Sequence, residues 1–291
     1  MKKVITALLT PFFQDGTVHE EGLREIVRYN IDEMKVDGLY VGGSTGESFL
    51  LDEGTKSNIF RIVKEEAGND VMLIAQIGSL NIDEAVRLGR KCKELGYDTL
   101  SAITPYYYKF SFEEIKSYYE RLTKETEMPM LLYSIPAFTG SQISINNYEK
   151  LLAIPHVIGV KYSDTDVVKL GQLKELHPDK VFYSGCDDML FEFAVSGADG
   201  AIGSTYHLIG QEAKQIYGEV ARGNVAEAQK LQLQMNKVID KLVEFGVYQT
   251  IKYVLKKLNI NSGYMRFPFR ELTEEEKKSA DSILPLLRAS Q

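Results

Sequence analysis

The sequence offers little with which to bind a metal or build a disulfide framework. Its 291 residues contain two cysteines, Cys92 and Cys186, and four histidines, His19, His156, His177 and His207. None stands at ligand spacing from another, so no metal centre is expected, and both thiols are read as reduced. No apolar run reaches the roughly 18 residues of a membrane span. The opening Met1-Lys2-Lys3-Val4 leads straight into a short strand-like run. It lacks the longer apolar region and small-residue cleavage site of a secretory signal, and a cytoplasmic location is the expectation. Charge of one sign forms no long block. The net charge is −7 with both signs interspersed, which excludes a binder of nucleic-acid phosphates, since those need clustered Lys and Arg. The turn Thr10-Pro11-Phe12-Phe13-Gln14-Asp15-Gly16 lacks the glycine pattern that cradles a dinucleotide pyrophosphate. No cofactor is expected.

What the sequence does have is alternation. Hydrophobic residues make up 44% and charged residues 26%, enough for a sizeable core. Short apolar runs recur at Val4–Leu9, Gly38–Val41, Val71–Gln76, Thr99–Thr104, Met130–Ser134, Val157–Tyr162, Val181–Ser184 and Gly200–Ser204. Their near-continuous apolarity suits parallel strands buried on both faces. Amphipathic helical patterns lie between them. Leu23, Ile26, Val27, Ile31 and Met34 share one helix face, and Ile82, Ala85, Val86, Cys92 and Leu95 another. Capping boxes mark helix starts at Thr17/Glu20, Ser111/Glu114 and Thr273/Glu276. The other acidic runs, Glu20/Glu21 and Glu274–Glu276, read as solvated helix N-termini. Eight such units predict a closed (β/α)8 barrel over residues 1–222 in preference to an open doubly wound sheet. Residues 223–291 read as further helices. Val225, Ala228, Leu231, Met235, Val238, Ile239 and Leu242 form one stripe, followed by helices near Tyr248–Leu258 and Thr273–Leu287. No Pro/Gly/Ser-rich linker sets this block apart, so it is expected to pack on the barrel as part of one structural domain.

Barrel enzymes carry their chemistry at the C-terminal ends of the strands. Those ends read Gly42-Gly43-Ser44-Thr45-Gly46-Glu47, Thr104-Pro105-Tyr106-Tyr107-Tyr108, Tyr133-Ser134-Ile135-Pro136, Lys161-Tyr162-Ser163-Asp164, Gly185-Cys186-Asp187-Asp188 and Gly203-Ser204-Thr205-Tyr206. Lys161 carries the most information, because it closes the apolar run Val157-Ile-Gly-Val. A buried ammonium without a partner tends to lose its proton, and the free amine condenses with ketones. The alternative is a lysine that snorkels to solvent or pairs with a carboxylate. Tyr133, on the adjacent predicted strand, is a proton shuttle if a cation lowers its pKa, or else a core aromatic. The Gly42–Gly46 turn, beside an expected helix start, offers N–H and O–H donors to a carboxylate or phosphate, or is a plain turn. It has no P-loop lysine, which argues against a nucleotide. His207 reads as a surface residue or a support for the mouth. The triplet Tyr106–Tyr108 reads as packing, pocket lining or an interface.

Taken together, these motifs resemble the N-acetylneuraminate lyases, of the superfamily shared with dihydrodipicolinate synthase, over about Val4 to Pro268. Within that superfamily, Ser44, the stretch Tyr107–Phe112 and the Gly-Ser-Thr-Tyr run point to the lyase branch. The resemblance implies a Schiff-base aldolase that splits N-acetylneuraminate (sialic acid) into N-acetylmannosamine and pyruvate. It implies Lys161 as the Schiff-base lysine, Tyr133 as acid/base, and Ser44 and Thr45 as carboxylate-binding hydroxyls. Tyr107 would support the catalytic tyrosine at a subunit contact of a homotetramer. Ser163, Gly185, Asp187, Asp188 and Ser204 would hold the rest of the open-chain sugar. Three positions depart from the family pattern: Ser163 for threonine, Cys186 for an aromatic and Asp188 for glutamate. They bear on sugar preference more than on chemistry. Other pyruvate aldolases of the superfamily, such as dihydrodipicolinate synthase or a 2-keto-3-deoxy-sugar-acid aldolase, remain open. A non-catalytic sugar-acid binder is the other class of reading, against which the presence of both Lys161 and Tyr133 argues.

Overall fold

A computed structural model describes residues 2–288. Eight parallel strands close into a barrel in sequence order, with β8 hydrogen-bonded back to β1. They are β1 Lys3–Ala7, β2 Gly38–Val41, β3 Met72–Gln76, β4 Thr99–Ile103, β5 Met130–Ser134, β6 Val157–Tyr162, β7 Val181–Ser184 and β8 Gly200–Gly203. Every predicted strand is present, four with the expected bounds. The reason is physical. A barrel strand is covered on both faces, so its whole length must be apolar, and a contiguous apolar run marks where it starts and stops.

The helices that alternate with these strands are α1 Glu20–Asp32, α2 Glu53–Ala67, α3 Ile82–Leu95, α4 Phe112–Thr126, a short α5 Pro136–Thr139, α6 Ile145–Leu152, α7 Val167–Leu176, α8 Leu190–Val195 and α9 Tyr206–Ala221. After them come α10 Val225–Phe245, α11 Val247–Lys257, α12 Glu274–Ala280 and α13 Ile283–Arg288. Among the described residues no helix is long and apolar enough to cross a membrane.

Side chains alternate along each strand, which sorts the core into two layers. Inward-facing Ile5, Tyr40, Ile74, Leu131, Tyr133, Tyr183 and Ile202 fill the barrel. Outward-facing Leu39, Leu73, Leu100, Leu132, Val160 and Phe182 meet the helices. The C-terminal helices join a further cluster, in which Val4 and Ala201 of the barrel meet Ile216, Met235, Val238, Leu242, Ile251, Leu255 and Ile283. Each such buried aliphatic chain contributes about 1.5–3 kcal/mol relative to exposure, so α10–α13 are held to the barrel by a core of their own.

Two local expectations are overturned. The capping boxes at Ser111/Glu114 and Thr273/Glu276 form, but the one at Thr17/Glu20 does not. The Thr17 hydroxyl and amide both donate to Asp15 Oδ1, and Glu20 binds Arg24. His19 caps α1 instead: its Nδ1 accepts from the Gly22 amide at 3.0 Å, while its ring stacks on Phe13. The single helix expected over Thr273–Leu287 breaks between α12 and α13. Pro285 has no N–H to give the preceding turn, so a helix tolerates it only in a first turn, and α13 starts two residues before it.

Candidate active site

Register sets the centre of the site. Ile103, Tyr133, Lys161 and Tyr183 are matched across β4 to β7 and therefore share the barrel's inner face. Lys161 is 5% exposed. Its Nζ stands 3.9 Å from the centroid of the Tyr133 ring and 4.1 Å from that of Tyr40. Removal from water lowers its pKa to about 7. The negative charge of Asp187, and more weakly Cys186, pulls the other way, and the two aromatic faces also favour the cation. Burial wins, so near neutral pH the free amine is accessible.

Tyr133 is buried as well, and burial raises its pKa above the ordinary phenol value. The hydroxyls of Ser44 and Ser163 interact with it and draw the pKa back part of the way. The resting side chain is thus a neutral acid, and a lowered phenol pKa would need a cation beside it. Ser44 and Thr45 begin a single 3-10 turn, Ser44–Gly46. Regular helix starts only at Glu53, so the expected helix N-terminus beside these hydroxyls is absent. The Thr45 hydroxyl pairs with that of Ser204 at 2.7 Å, joining the loop after β2 to the loop after β8. His207 supports this join from beneath. It is wholly buried, not at the surface. Its Nε2 accepts from the Leu9 amide at 3.3 Å and its Nδ1 lies 2.9 Å from the Ser204 carbonyl. Burial lowers its pKa to about 4, so it stays neutral, with Nδ1–H as the donor.

Asp187 begins a 3-10 turn after β7. Its Oδ2 accepts from the amide and the hydroxyl of Thr205 at 3.0 and 2.7 Å, and burial raises its pKa. Two glycines make room here. A Cβ on Gly203 would stand 1.8 Å from Asp187 Oδ1, and one on Gly185 would stand 1.9 Å from Ser163 Oγ. Asp188 is exposed at the rim. The Cys186 thiol donates to the Asp164 carbonyl at 3.4 Å, and burial pushes its pKa up to about 12. Gly185, Cys186, Asp187, Asp188, Ser204 and Thr205 line one side of a cleft of about 460 Å³, and Val243, Tyr248, Gln249 and Phe269 line the other. A larger cleft of about 660 Å³ opens at the other end of the barrel. Its Lys2 and Lys214 are paired with Asp199 and Asp37, and no reactive pair lies in it.

Of the residues singled out from sequence, Lys161, Tyr133, Ser44, Thr45, Ser163, Gly185, Asp187, Asp188 and Ser204 therefore gather around the strand ends. Tyr107 does not. It is 83% exposed, with a left-handed backbone (φ 74), and its ring meets Tyr108.

Residues 1–286 match the model of the dihydrodipicolinate synthetase family. The chain belongs to this family. An N-acetylneuraminate lyase from Histophilus somni is 49% identical over 277 residues, 95% of each chain. Among solved structures, a Clostridium difficile protein in complex with mannosamine is 42% identical over 98% of both chains, with a TM-score of 0.96. An N-acetylneuraminate lyase from Fusobacterium nucleatum, complexed with pyruvate, is 44% identical over 98% of this chain and 96% of that one, with a TM-score of 0.94.

Sequence reasoning missed several residues of this family member's site. Tyr40 underlies Lys161 and meets Tyr133 edge-on. Its signal was a lone hydroxyl-bearing ring in an apolar strand. Glu47 is buried in left-handed conformation and ion-paired to Lys252 at 2.6 Å. The signal for Lys252 was a cation on the apolar face of α11, between Ile251 and Leu255. Tyr248 and Phe269 come from the C-terminal block, where nothing local marks a pocket wall.

Proposed function

We propose that the chain is an N-acetylneuraminate lyase that works through a Schiff base on Lys161. The observation that carries this reading is the buried amine of Lys161 held 3.9 Å from the centroid of the Tyr133 ring. Ser44, with the turn it begins, would hold the carboxylate of the 2-oxo acid. The free amine attacks the C2 carbonyl and gives a carbinolamine. Loss of its hydroxyl as water requires an acid, and neutral Tyr133 supplies the proton. This leaves an iminium beside a phenolate, each lowering the energy of the other in a site of low dielectric. The phenolate then takes the proton of the C4 hydroxyl. The C3–C4 bond breaks, N-acetylmannosamine leaves, and the electron pair passes into the enamine. Protonation at C3 and hydrolysis release pyruvate and restore the amine. The raised pKa of resting Tyr133 fits its first duty, and the neighbouring cation creates its second.

The distal part of the sugar would lie along Ser163, Gly185, Asp187, Asp188 and Ser204, facing Tyr248 and Phe269. Asp187 is already engaged by Thr205, so Asp188 is the freer carboxylate for the hydroxyls of the tail. The exposed rings of Tyr107 (83%), Tyr108 (66%) and Phe138 (66%) favour self-association, and a homotetramer would set Tyr107 to work across the contact. The unpaired thiols Cys92 and Cys186 favour a cytoplasmic site of action. Residues 1–222 and 223–291 would act as one structural domain.

The test is reduction with borohydride in the presence of pyruvate, followed by mass analysis and a substrate panel. Lys161 should gain the mass of one reduced pyruvate, and N-acetylmannosamine should be released from N-acetylneuraminate. Labelling without that release, but with condensation onto aspartate semialdehyde or cleavage of a 2-keto-3-deoxy sugar acid, would assign another aldolase of the family.

A further inference from the structure

Glu47 and Lys252 take no part in the reaction above, yet they form a more deeply buried ion pair than any other among the described residues. They are 2.6 Å apart, with side chains 0% and 2% exposed. Stability does not account for such a pair, because an apolar pair of similar volume commonly serves as well or better. Its geometry is more informative. Glu47 directly follows Ser44-Thr45-Gly46 and is held at φ 57, a conformation that non-glycine residues seldom adopt without support. Both of its oxygens are used. Oε1 accepts from Lys252 Nζ on α11, and Oε2 accepts from the Arg266 amide at 2.7 Å. Lys252 donates in addition to the Tyr264 carbonyl at 2.8 Å. One carboxylate therefore ties three segments: the hydroxyl-bearing turn, α11 and residues 264–266. The same α11 carries Tyr248, one helical turn before Lys252, and Phe269 lies three residues beyond Arg266. Those two rings meet edge-on at 6.1 Å and form the distal wall of the cleft.

We propose that Glu47 and Lys252 are a positioning pair for substrate, fixing the Ser44-Thr45 turn against the Tyr248–Phe269 wall. The inference rests on the reading of Ser44 and Thr45 as the carboxylate seat. Its consequence is that the C-terminal helices set the affinity for the 2-oxo acid at a seat carried by the loop after β2.

The experiment is borohydride trapping of Lys161 across a range of pyruvate concentrations, with a melting curve for each variant. The full-length variants are Glu47→Gln, Lys252→Met, the double variant, and Leu173→Ala as a cavity control on α7. Each single variant strands one buried charge and should melt lower, whereas the double variant strands none and should recover most of the loss. The pyruvate concentration for half-maximal trapping should rise about tenfold in both single variants and stay raised in the double variant. Saturating pyruvate should still label Lys161, and Leu173→Ala should keep the wild-type half-saturation. Wild-type half-saturation in a folded double variant would overturn the proposal. So would an equal shift in Leu173→Ala, or a double variant that does not fold. Failure of the wild-type chain to trap pyruvate would instead overturn the reading of the site beneath it.

Discussion

The amine of Lys161 faces the ring of Tyr133 from the neighbouring strand, matched with it in register and 3.9 Å from its centroid. One group must lose a proton to react and the other must keep one, and the same burial drives both in the needed direction. That shared cause makes the pair testable by pH.

With the Lys161 pKa lowered to about 7, the amine is an unreactive ammonium below that pH and free above it. The rate of pyruvate trapping at fixed, subsaturating pyruvate should climb about tenfold per pH unit below 7 and flatten above pH 8. An ordinary lysine would still be climbing at pH 10. A profile rising steadily from 6 to 10 would remove the basis for Lys161 as a pre-activated amine. Lys161→Ala should abolish both trapping and cleavage.

Tyr133→Phe keeps the ring over the amine but has no proton to give or take. Cleavage of N-acetylneuraminate should fall by about 10²–10⁴-fold, while slow trapping of pyruvate persists. Comparing kcat for cleavage with the yield of labelled protein separates the two steps. A variant that cleaves at the wild-type rate would transfer the proton role to another group.

Asp187 raises the Lys161 pKa through its charge while it holds Thr205 by two hydrogen bonds. Asp187→Asn should therefore act twice. Loss of charge-assisted bonds should cost about 1–3 kcal/mol in a denaturant titration. Loss of negative charge should move the midpoint of the trapping profile below 7, because the ammonium loses support. A midpoint that moves upward would contradict the sign of this interaction.

His207 gives a stability signature. Its folded pKa, about 4, lies below the ordinary 6.5. As pH falls through 6.5 the unfolded chain takes up a proton that the folded chain refuses. Stability is therefore complete above 6.5 and is lost progressively down to about pH 4, on the order of 3 kcal/mol in all. Melting temperatures at pH 7 and 5 should differ by more in the wild type than in His207→Gln, which cannot titrate. Equal slopes would show that His207 is not the titrating group.

How much of this was legible in the sequence follows from which forces are local. The strands were readable because burial on both faces writes itself into a contiguous run. Lys161 was readable because a cation inside such a run violates that rule. The Thr17 capping box failed because Asp15, two residues away, took the Thr17 amide that Glu20 would have accepted, and His19 supplied the cap. The Thr45–Ser204 and Glu47–Lys252 contacts were invisible, since 159 and 205 residues separate the partners, and only barrel closure and the docking of α11 bring them together. The resting pKa of Tyr133 was out of reach for a related reason. A sequence shows which charges lie nearby, but not how thoroughly water is shut out.

The pairing of β8 with β1 has a consequence for the growing polypeptide. A nascent chain that has made seven strands already possesses its amine, yet the hydroxyl of Thr45 still waits for Ser204, which arrives only with the last strand. Pyruvate should thus recognise finished cylinders and ignore partial ones. At a hundred times its dissociation constant it would favour the completed fold by about 2.7 kcal/mol. The metabolite would then act as a late inspector of assembly as well as a product.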